Sequence, residues 1–555
     1  MNLIRKPILG VVSVMAFLIV AWYAAIPQAQ ETSPANPQLE EVIHRAAGAV
    51  VAGRPAQAVP AVAGKLRLSI RDIKDDMPTF CRVNVIGADG QFYEPAENAL
   101  KPWSLSRLGN RTGKGPFRYF GWFFYCNGQC ELTVPAGATR IDVWKGFEYQ
   151  PVEQSVEVAP GSVSELVIKV ARVADMARVG WYSGDTHIHL DRRNAADDER
   201  AFDLAAAEDL RFAHILCMND PRAYQPLMDQ QVWQQMQGMG AASERKRGIY
   251  TLLSGQEYRS STYGHMCLIG ASRLVDADGL KTDPNLWPVF GMVADEARGI
   301  NGLAFHAHGG YEQEIYADFA QRATDGVELL QFAEYRGIGL EGWYHILNAG
   351  FQFPALGASD YPYCRALGDC RTYAYLLPGG GMKEWNQAVS EGKSFFTTGP
   401  LLELYVNEER PGNEVTLSEP DKLNIRIRLQ SVVCPVTTLQ LLVGGRVHQT
   451  WDISKEQFGK PFQIEADLRV VKSTWIAARA FGKSPTGREN TEAHTNPIYV
   501  LVANQPIRER TSAEWLLRKL DQQIAIQAGR TFPEREKVLE YYRRSRSVLE
   551  KLASE

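Results

Sequence analysis

Cysteine is scarce, with eight residues in 555 and none in a Cys-x-x-Cys pair, so a zinc ribbon is not supported. There is no basic domain and no Lys/Arg run interleaved with aromatics. With 60 basic against 64 acidic residues the net charge is -4, and nothing asks for nucleic acid as a partner. Hydrophobic residues make up 45% and charged residues 22%, the balance of an ordinary globular protein. A chain of 555 residues exceeds what one core supports, so three or four domains are expected.

Long uncharged apolar runs are lacking except at the start. There Arg5 and Lys6 precede an apolar stretch over 8–26, and Pro27, Gln28, Gln30 and Glu31 surround its polar end. Residues 1–30 therefore read as a secretory signal peptide. The run is also long enough to span a bilayer, so an uncleaved N-terminal membrane anchor is the close alternative. Either reading puts the bulk of the chain outside the cytoplasm, in the periplasm, secreted, or held on the outer face of the membrane. In such a compartment Cys126 with Cys130, and Cys364 with Cys370, are close enough in sequence to close small loops. Cys217 and Cys267 lie in apolar strand-like runs and read as buried free thiols.

Residues 31–62 are rich in Ala, Pro and Gln and read as a spacer, with a short helix over 38–52. From 63 to 172 short alternating segments, such as Leu66-Arg67-Leu68-Ser69-Ile70 and Ile141-Asp142-Val143, predict a β-sandwich. Val134-Pro135-Ala136-Gly137, followed by Lys145-Gly146-Phe147-Glu148-Tyr149, makes this stretch resemble carboxypeptidase-regulatory-like and immunoglobulin-like modules. It holds no catalytic constellation, and its aromatic run over 119–125 reads as strand and edge. From 179 to 400 strands alternate with helices, which predicts a parallel, barrel-like sheet with helices outside. The helix predicted over 197–210 turns Asp209 to solvent. Alternation returns over 401–503, a second β-sandwich docked on the barrel. Residues 504–555 form a helical tail. Its bases interleave with Glu534, Glu536, Glu540 and Glu550, so it reads as packed on its own protein rather than on a membrane.

The chemistry centres on Gly184-Asp185-Thr186-His187-Ile188-His189-Leu190. Two histidines two apart on a strand share a face, and Asp185 on that face can hold an imidazole by its second nitrogen. Asp220, Glu257, His306, His308 and Asp360 also fall at or just beyond predicted strand ends, where a barrel gathers its active site. Carboxylates with imidazoles suit Zn²⁺, Mn²⁺ or Fe²⁺. Asp220 either orients or deprotonates a water, or caps the turn before Pro221. Arg259, Arg336 and His345 are candidates for binding an oxyanion or phosphate, beside the plainer reading of surface pairs. His214, inside an apolar strand, reads as structural.

The set Gly184-Asp185-Thr186-His187-Ile188-His189, Gly255-Gln256-Glu257 with Gly264-His265, Phe305-His306-Ala307-His308 and Gly357-Ala358-Ser359-Asp360 resembles the PHP (polymerase and histidinol phosphatase) superfamily. More narrowly it resembles the CehA/McbA-type metallohydrolases, as do Ser-Phe-Phe-Thr-Thr-Gly-Pro at 394–400 and Thr-Asn-Pro-Ile-Tyr-Val at 495–500. The resemblance covers about 179–502. It implies an α/β fold, a distorted (β/α)7 PHP-type barrel, here flanked by two β-sandwich domains. It implies one metal on His187, His189, Glu257 and Asp360, and a second on Glu257, His265 and His306, with Glu257 bridging. His308 is either a ligand or a donor behind one. Met218-Asn219-Asp220 stands where relatives carry Thr-Asp-His, and Asp360-Tyr361-Pro362 where they carry Asp-x-His. Both changes remove ligands of a third metal, so one or two divalent transition metal ions are expected. The implied activity is exported hydrolysis of an amide, carbamate, ester or phosphoester bond in a small-molecule substrate by a metal-activated water, assisted by Asp220, Arg336 and His308. The alternative is a non-catalytic extracytoplasmic protein that binds a glycan or protein ligand on a degenerate barrel.

Overall fold

The computed structural model describes residues 56, 60–98, 100, 122–223, 238–276, 281–364, 366–483 and 490–555. The expected export segment, nearly all of the spacer with its helix over 38–52, and residues 119–121 of the aromatic run lie outside them.

The chain is multidomain and rich in sheet. Its first unit comprises strands Ala63–Asp72 (β1), Cys81–Ile86 (β2), Phe124–Cys126 (β3), Gln129–Pro135 (β4), Gly137–Trp144 (β5), Val152–Val158 (β6) and Val163–Val170 (β7). They form two sheets, ordered β4-β1-β7 and β3-β2-β5-β6. Along β1 the buried Leu66, Leu68 and Ile70 alternate with exposed Lys65 and Arg67, so one face enters a core shared with Val83, Val85, Ile141 and Val143. This sandwich lies within the expected 63–172.

Three polar links tie the sandwich to the helix Ala195–Ala207 and the residues that follow it. Glu208 accepts from Arg82 and from the Tyr125 hydroxyl at 2.7 Å, all three buried. Lys145 donates to Phe80 O at 3.0 Å and to Ala206 O. Arg172 pairs with Asp209 at 2.7 Å. Asp209 is thus buried rather than solvent-facing, because the chain leaves the helix through a left-handed Asp209 (φ 50) that turns its carboxylate toward the sandwich.

The middle of the chain is a circuit of strands. Trp181–Ile188 (β8) pairs in parallel with Phe212–Met218 (β9), and β9 with Tyr250–Ser260 (β11), which also carries the short Arg245–Arg247 (β10) on its edge. Gly264–Ile269 (β12) runs antiparallel to β11 and to Leu303–His306 (β13). Parallel pairing resumes through Gly326–Gln331 (β14) to Ala355–Gly357 (β16), with Glu334–Tyr335 (β15) as a small antiparallel edge. A bridge between Ile188 and Tyr361, and a bond from His189 N to Tyr361 O at 2.6 Å, lead back to β8. The sheet is therefore mixed, not all parallel. Only residues 261–263 join β11 to β12, far too few for a parallel crossover.

Arg371–Tyr375 (β17) pairs with β8 and with Ser394–Thr397 (β18), and β18 continues into Asn490–Thr495 (β26). The same sheet runs on through Glu414–Leu417 (β20), Thr438–Val443 (β22), Arg446–Asp452 (β23), Thr474–Lys483 (β25) and Ile498–Val502 (β27). A separate sheet of Leu401–Val406 (β19), Asp421–Gln430 (β21) and Phe462–Val470 (β24) shares a core with it. The second sandwich is therefore continuous with the circuit rather than a detached module. The tail is two helices, Arg510–Ala528 and Arg535–Ser554, broken near Gly529 and Pro533. Leu516, Leu520, Val538, Tyr542 and Leu549 join the core that holds Phe290, Tyr316 and Trp343. Among the described residues no helix is long and apolar enough to cross a membrane. All eight cysteines are free thiols, so the loops expected at 126/130 and 364/370 are open. Cys364 donates to Ala366 O at 3.0 Å and Cys370 accepts from Ala333 N at 3.2 Å, so each sulfur has a backbone partner.

Glu208→Ala leaves the buried Arg82 without its carboxylate. It should destabilise the protein by about 3–5 kcal/mol, read from urea unfolding, because an uncompensated charge remains in the interior.

Candidate metal centre

Strand parity decides which side chains meet. On β8 a shift of register between Asp185 and Ile188 leaves His187 and His189 together at the end of the strand. Asp185 does not hold an imidazole. Its oxygens accept from the backbone N of His187 at 3.0 Å, of Ser359 at 3.1 Å and of Gly368 at 3.2 Å, pinning three segments around the site. The imidazole of His187 is held instead by Glu328, at 2.8 Å from Nδ1, and Glu328 is fixed in turn by the Thr186 hydroxyl at 2.6 Å. His189 donates Nδ1–H to Leu216 O at 3.0 Å. Both Nδ1 atoms are donors to oxygens that only accept, so in the neutral rings both Nε2 atoms are bare acceptors.

Those two Nε2 atoms lie 3.1 Å apart. Around them stand Glu257, 3.5 Å from His187 and 3.3 Å from His189, and Asp360 Oδ1, 3.4 and 3.3 Å away. His265 Nδ1 is 2.8 Å from Glu257 Oε1. His308 Nε2 is 3.5 Å from the same oxygen, and its Nδ1 is held by Gln331 Oε1. Three overlapping sets, His187/His189/Glu257, His187/His308/Asp360 and Glu257/His265/His308, have donor atoms within 4.8 Å of one another and fit a metal ion. A fourth set, His187/Cys267/Glu328, lies behind the first imidazole, with Cys267 Sγ 3.2 Å from its Nδ1.

The local charges agree with this arrangement. Burial raises Glu257, but Arg259, His265 and His187 hold it well below the usual carboxylate range. Asp360 is likewise lowered, against its burial, by His187, His189 and His308. Burial pulls His187 down, yet Cys267, Glu328, Asp360 and Glu257 raise it well above the ordinary imidazole value. Ionised acids thus face imidazoles that are drawn toward a positive charge. His265, by contrast, is pushed down to about 4 by burial and stays neutral.

His306 is not part of this group. Cys267 lies opposite Glu257 on β11 and opposite Phe305 on β13, so Phe305 points inward and His306, one residue on, points outward. There it meets Asp318 Oδ2 at 2.9 Å and the ring of Phe290. His308 would share that outward parity, but left-handed residues His308 (φ 54), Gly309 (φ 64) and Gly310 (φ 65) swing it inward. A Cβ on Gly309 would lie 1.9 Å from Arg336 O, so only glycine fits the turn. Asp360 is also left-handed (φ 55), a strain of about 1–3 kcal/mol that is characteristic of functional sites.

Asp220 is likewise outside the cluster. It accepts from Arg222 N at 3.1 Å and pairs with the Arg222 guanidinium, the turn-capping role weighed from its position before Pro221. Arg336 pairs with Glu334 at 3.5 Å and lies over Phe332. His345 bonds Ser512 at 3.0 Å and stacks on Trp515, so it docks the tail. His214 contacts Asn386 at 2.8 Å inside the core. Arg259 does reach the cluster, with Nε 3.6 Å from Glu257 and 3.5 Å from His265 Nε2. Asn219 holds it there through paired backbone bonds of 2.7 Å. Tyr311 packs on His265 and His308, and Tyr363 lies edge-on to His189. Burial raises both phenols, so they remain protonated donors at neutral pH. Glu328, Gln331, Tyr311 and Tyr363 were not singled out from sequence. The available signal was one acid, Glu328, flanked by Val327, Leu329 and Leu330 in β14.

No family model and no curated protein matches the chain. Among solved structures, the minor pilin GBS52 of Streptococcus agalactiae aligns at 12% identity over 20% of this chain and 46% of the pilin, with a TM-score of 0.15. β-Glucuronidase of Parabacteroides merdae aligns at 8% identity over 77% of this chain and 60% of that one, also at 0.15. A Bacteroides uniformis β-glucuronidase aligns at 11% over 80% and 60%, again at 0.15. The chain spans about half of the first and three fifths of the others, and likeness at that TM-score carries no argument.

Glu328→Gln should weaken uptake of Zn²⁺ or Mn²⁺ by about 10–100-fold in a chelator competition, because the imidazole loses its anionic partner. Asp220→Asn should leave uptake unchanged in the same assay.

Proposed function

We propose that the chain is an exported metal-dependent hydrolase of the PHP type, close to the CehA/McbA metallohydrolases, and that its strand circuit is a distorted (β/α)7 barrel. The observation that carries this reading is that His187 Nε2 and His189 Nε2 lie 3.1 Å apart, with oxygens of Glu257 and of Asp360 each 3.3–3.5 Å from both, and that neither nitrogen bears a hydrogen in the neutral rings. Acceptors crowded this closely repel unless a proton or a metal cation lies between them, and the two carboxylates favour the metal cation. His187, His189, Glu257 and Asp360 would hold a first ion, and Glu257, His265 and His308 a second. His308 takes the place that the family pattern gives to His306. The donor set suits Zn²⁺, Mn²⁺ or Fe²⁺. Such an ion supplies Lewis-acid polarisation of a carbonyl or phosphoryl oxygen and a water acidified toward neutrality.

The chain's own residues do the rest. Glu328 and Leu216 O fix the two imidazoles in one tautomer and orientation. Arg259, nearly buried beside Glu257, keeps that carboxylate ionised and faces negative charge gathering on a bound oxygen. Tyr311 and Tyr363 offer neutral hydroxyls at the mouth. This leaves the assistance expected from Asp220 and Arg336 to Arg259 and the two phenols. The bond cleaved is an amide, carbamate, ester or phosphoester of a small molecule. The proposal of export rests on Arg5, Lys6 and the apolar run after them.

The test is metal content on protein purified without chelator, followed by turnover of an ester, amide, carbamate and phosphate panel. One or two equivalents of transition metal are expected, with metal and turnover lost together in His187→Ala. Turnover retained in that variant, or no metal and no uptake by the unchanged chain, would sink the reading. Arg259→Met should keep its metal while kcat/KM falls about 100-fold.

A further inference from the structure

His308 opens a run of five consecutive left-handed residues, continued by Gly309, Gly310, Tyr311 (φ 50) and Glu312 (φ 58). Three of the five are not glycine, and such residues stay left-handed only where their surroundings impose it. The run turns His308 Nε2 to within 3.5 Å of Glu257 Oε1. It also lays the Tyr311 ring on His265 and His308, with centroids 5.1 and 4.9 Å apart. Its near end is held by the strand circuit, where Ile338 N donates to Gly309 O at 3.0 Å.

Its far end is held by the tail. Lys519 Nζ lies 2.8 Å from Glu312 Oε1, and Gln523 Nε2 donates to Glu312 O at 2.8 Å. The same carboxylate oxygen accepts from the Tyr316 hydroxyl at 3.3 Å. Lys519 and Gln523 are four apart on the helix Arg510–Ala528, so they share a face and grip one residue together. Trp515 of the same face lies 5.0 Å under the Lys519 ammonium and stacks on His345. The Lys519 and Glu312 side chains are 28% and 49% exposed, so their pair adds little to global stability. Its effect is local, on a wound segment whose other end bears an imidazole of the site.

We propose, resting on the reading of the acceptor cluster as a metal centre, that Lys519 and Gln523 are positioning residues of that centre. The tail helix keeps the left-handed run wound, and so keeps His308 and Tyr311 beside Glu257 and His265. The set Glu257/His265/His308 then depends on the tail. His187, His189 and Asp360 lie outside the run, so the first set does not.

The test uses the full-length chain, stripped of metal and titrated with Zn²⁺ against a chelating indicator. Two binding steps are expected in the unchanged chain. The double variant Lys519→Ala/Gln523→Ala should weaken one step about tenfold and leave the other unchanged. Without metal, the amides of Gly310 and Gln313 should exchange hydrogen about tenfold faster in that variant, at an unaltered urea midpoint. Lys519→Arg should keep both values. So should Arg546→Ala, which breaks the 2.6 Å pair with Asp521 between the two tail helices without touching Glu312. If the double variant is unstable, Gln523→Glu, which sets an acceptor against Glu312 O, should reproduce the selective loss. Equal weakening of both steps, or the same effect from Arg546→Ala, would mean general loosening and overturn the proposal. Two normal steps and normal exchange in the double variant overturn this inference alone, whereas no Zn²⁺ uptake by the unchanged chain overturns the metal reading and this inference with it.

Discussion

Two imidazole nitrogens 3.1 Å apart, both facing carboxylates and neither bearing a hydrogen in the neutral rings, are a repulsive arrangement unless positive charge is shared among them. The surrounding fold exists to hold it. Asp185 ties three backbone segments together, Glu328 and Thr186 lock one ring, and Leu216 O locks the other. Left-handed residues at His308 and Asp360 bring in groups that ordinary strand geometry would turn away. Strain, buried charge and crowded acceptors at one rim are stabilised together only if positive charge is shared among them.

The outer domains bear on that rim through buried polar contacts as well as through apolar packing. The first sandwich is bolted to the helix between β8 and β9 by Arg82, Tyr125 and Lys145. The second continues the sheet of the circuit itself through β18 and β26. The tail helices close a core under β12–β14, where the Tyr541 hydroxyl meets Asp318 at 2.6 Å, the same carboxylate that faces His306. His306 is thus a packing residue of the outer layer, two positions before His308 of the site.

The β alternation at 63–172 and 401–503 was legible because one face of each strand is apolar and the other charged, a pattern local to a few residues. The strand ends carrying His187, His189, Glu257, His265 and Asp360 were legible for a related reason. A charged or imidazole residue that ends an apolar run has few places to go. Glu328 was overlooked although it lies inside such a run, since its partner is 141 residues away. The expected disulfide loops were drawn from spacing alone, whereas the pairing of Cys81 with Cys126 follows from the register of β2 with β3.

By itself the sequence determined the order of the elements and the stock of acceptors, because both follow from short-range periodicity and side-chain chemistry. Only the tertiary structure decided between His306 and His308. That choice depends on the pairing of Cys267 with Phe305 and on a glycine turn pressed against Arg336, contacts that no local pattern contains. It likewise set Asp220 in a turn with Arg222 and placed Arg259 beside Glu257, since a side chain's reach is set by the strand beside it. Parity along a strand is fixed by its neighbour's register, and a slip of one residue exchanges the inner set for the outer.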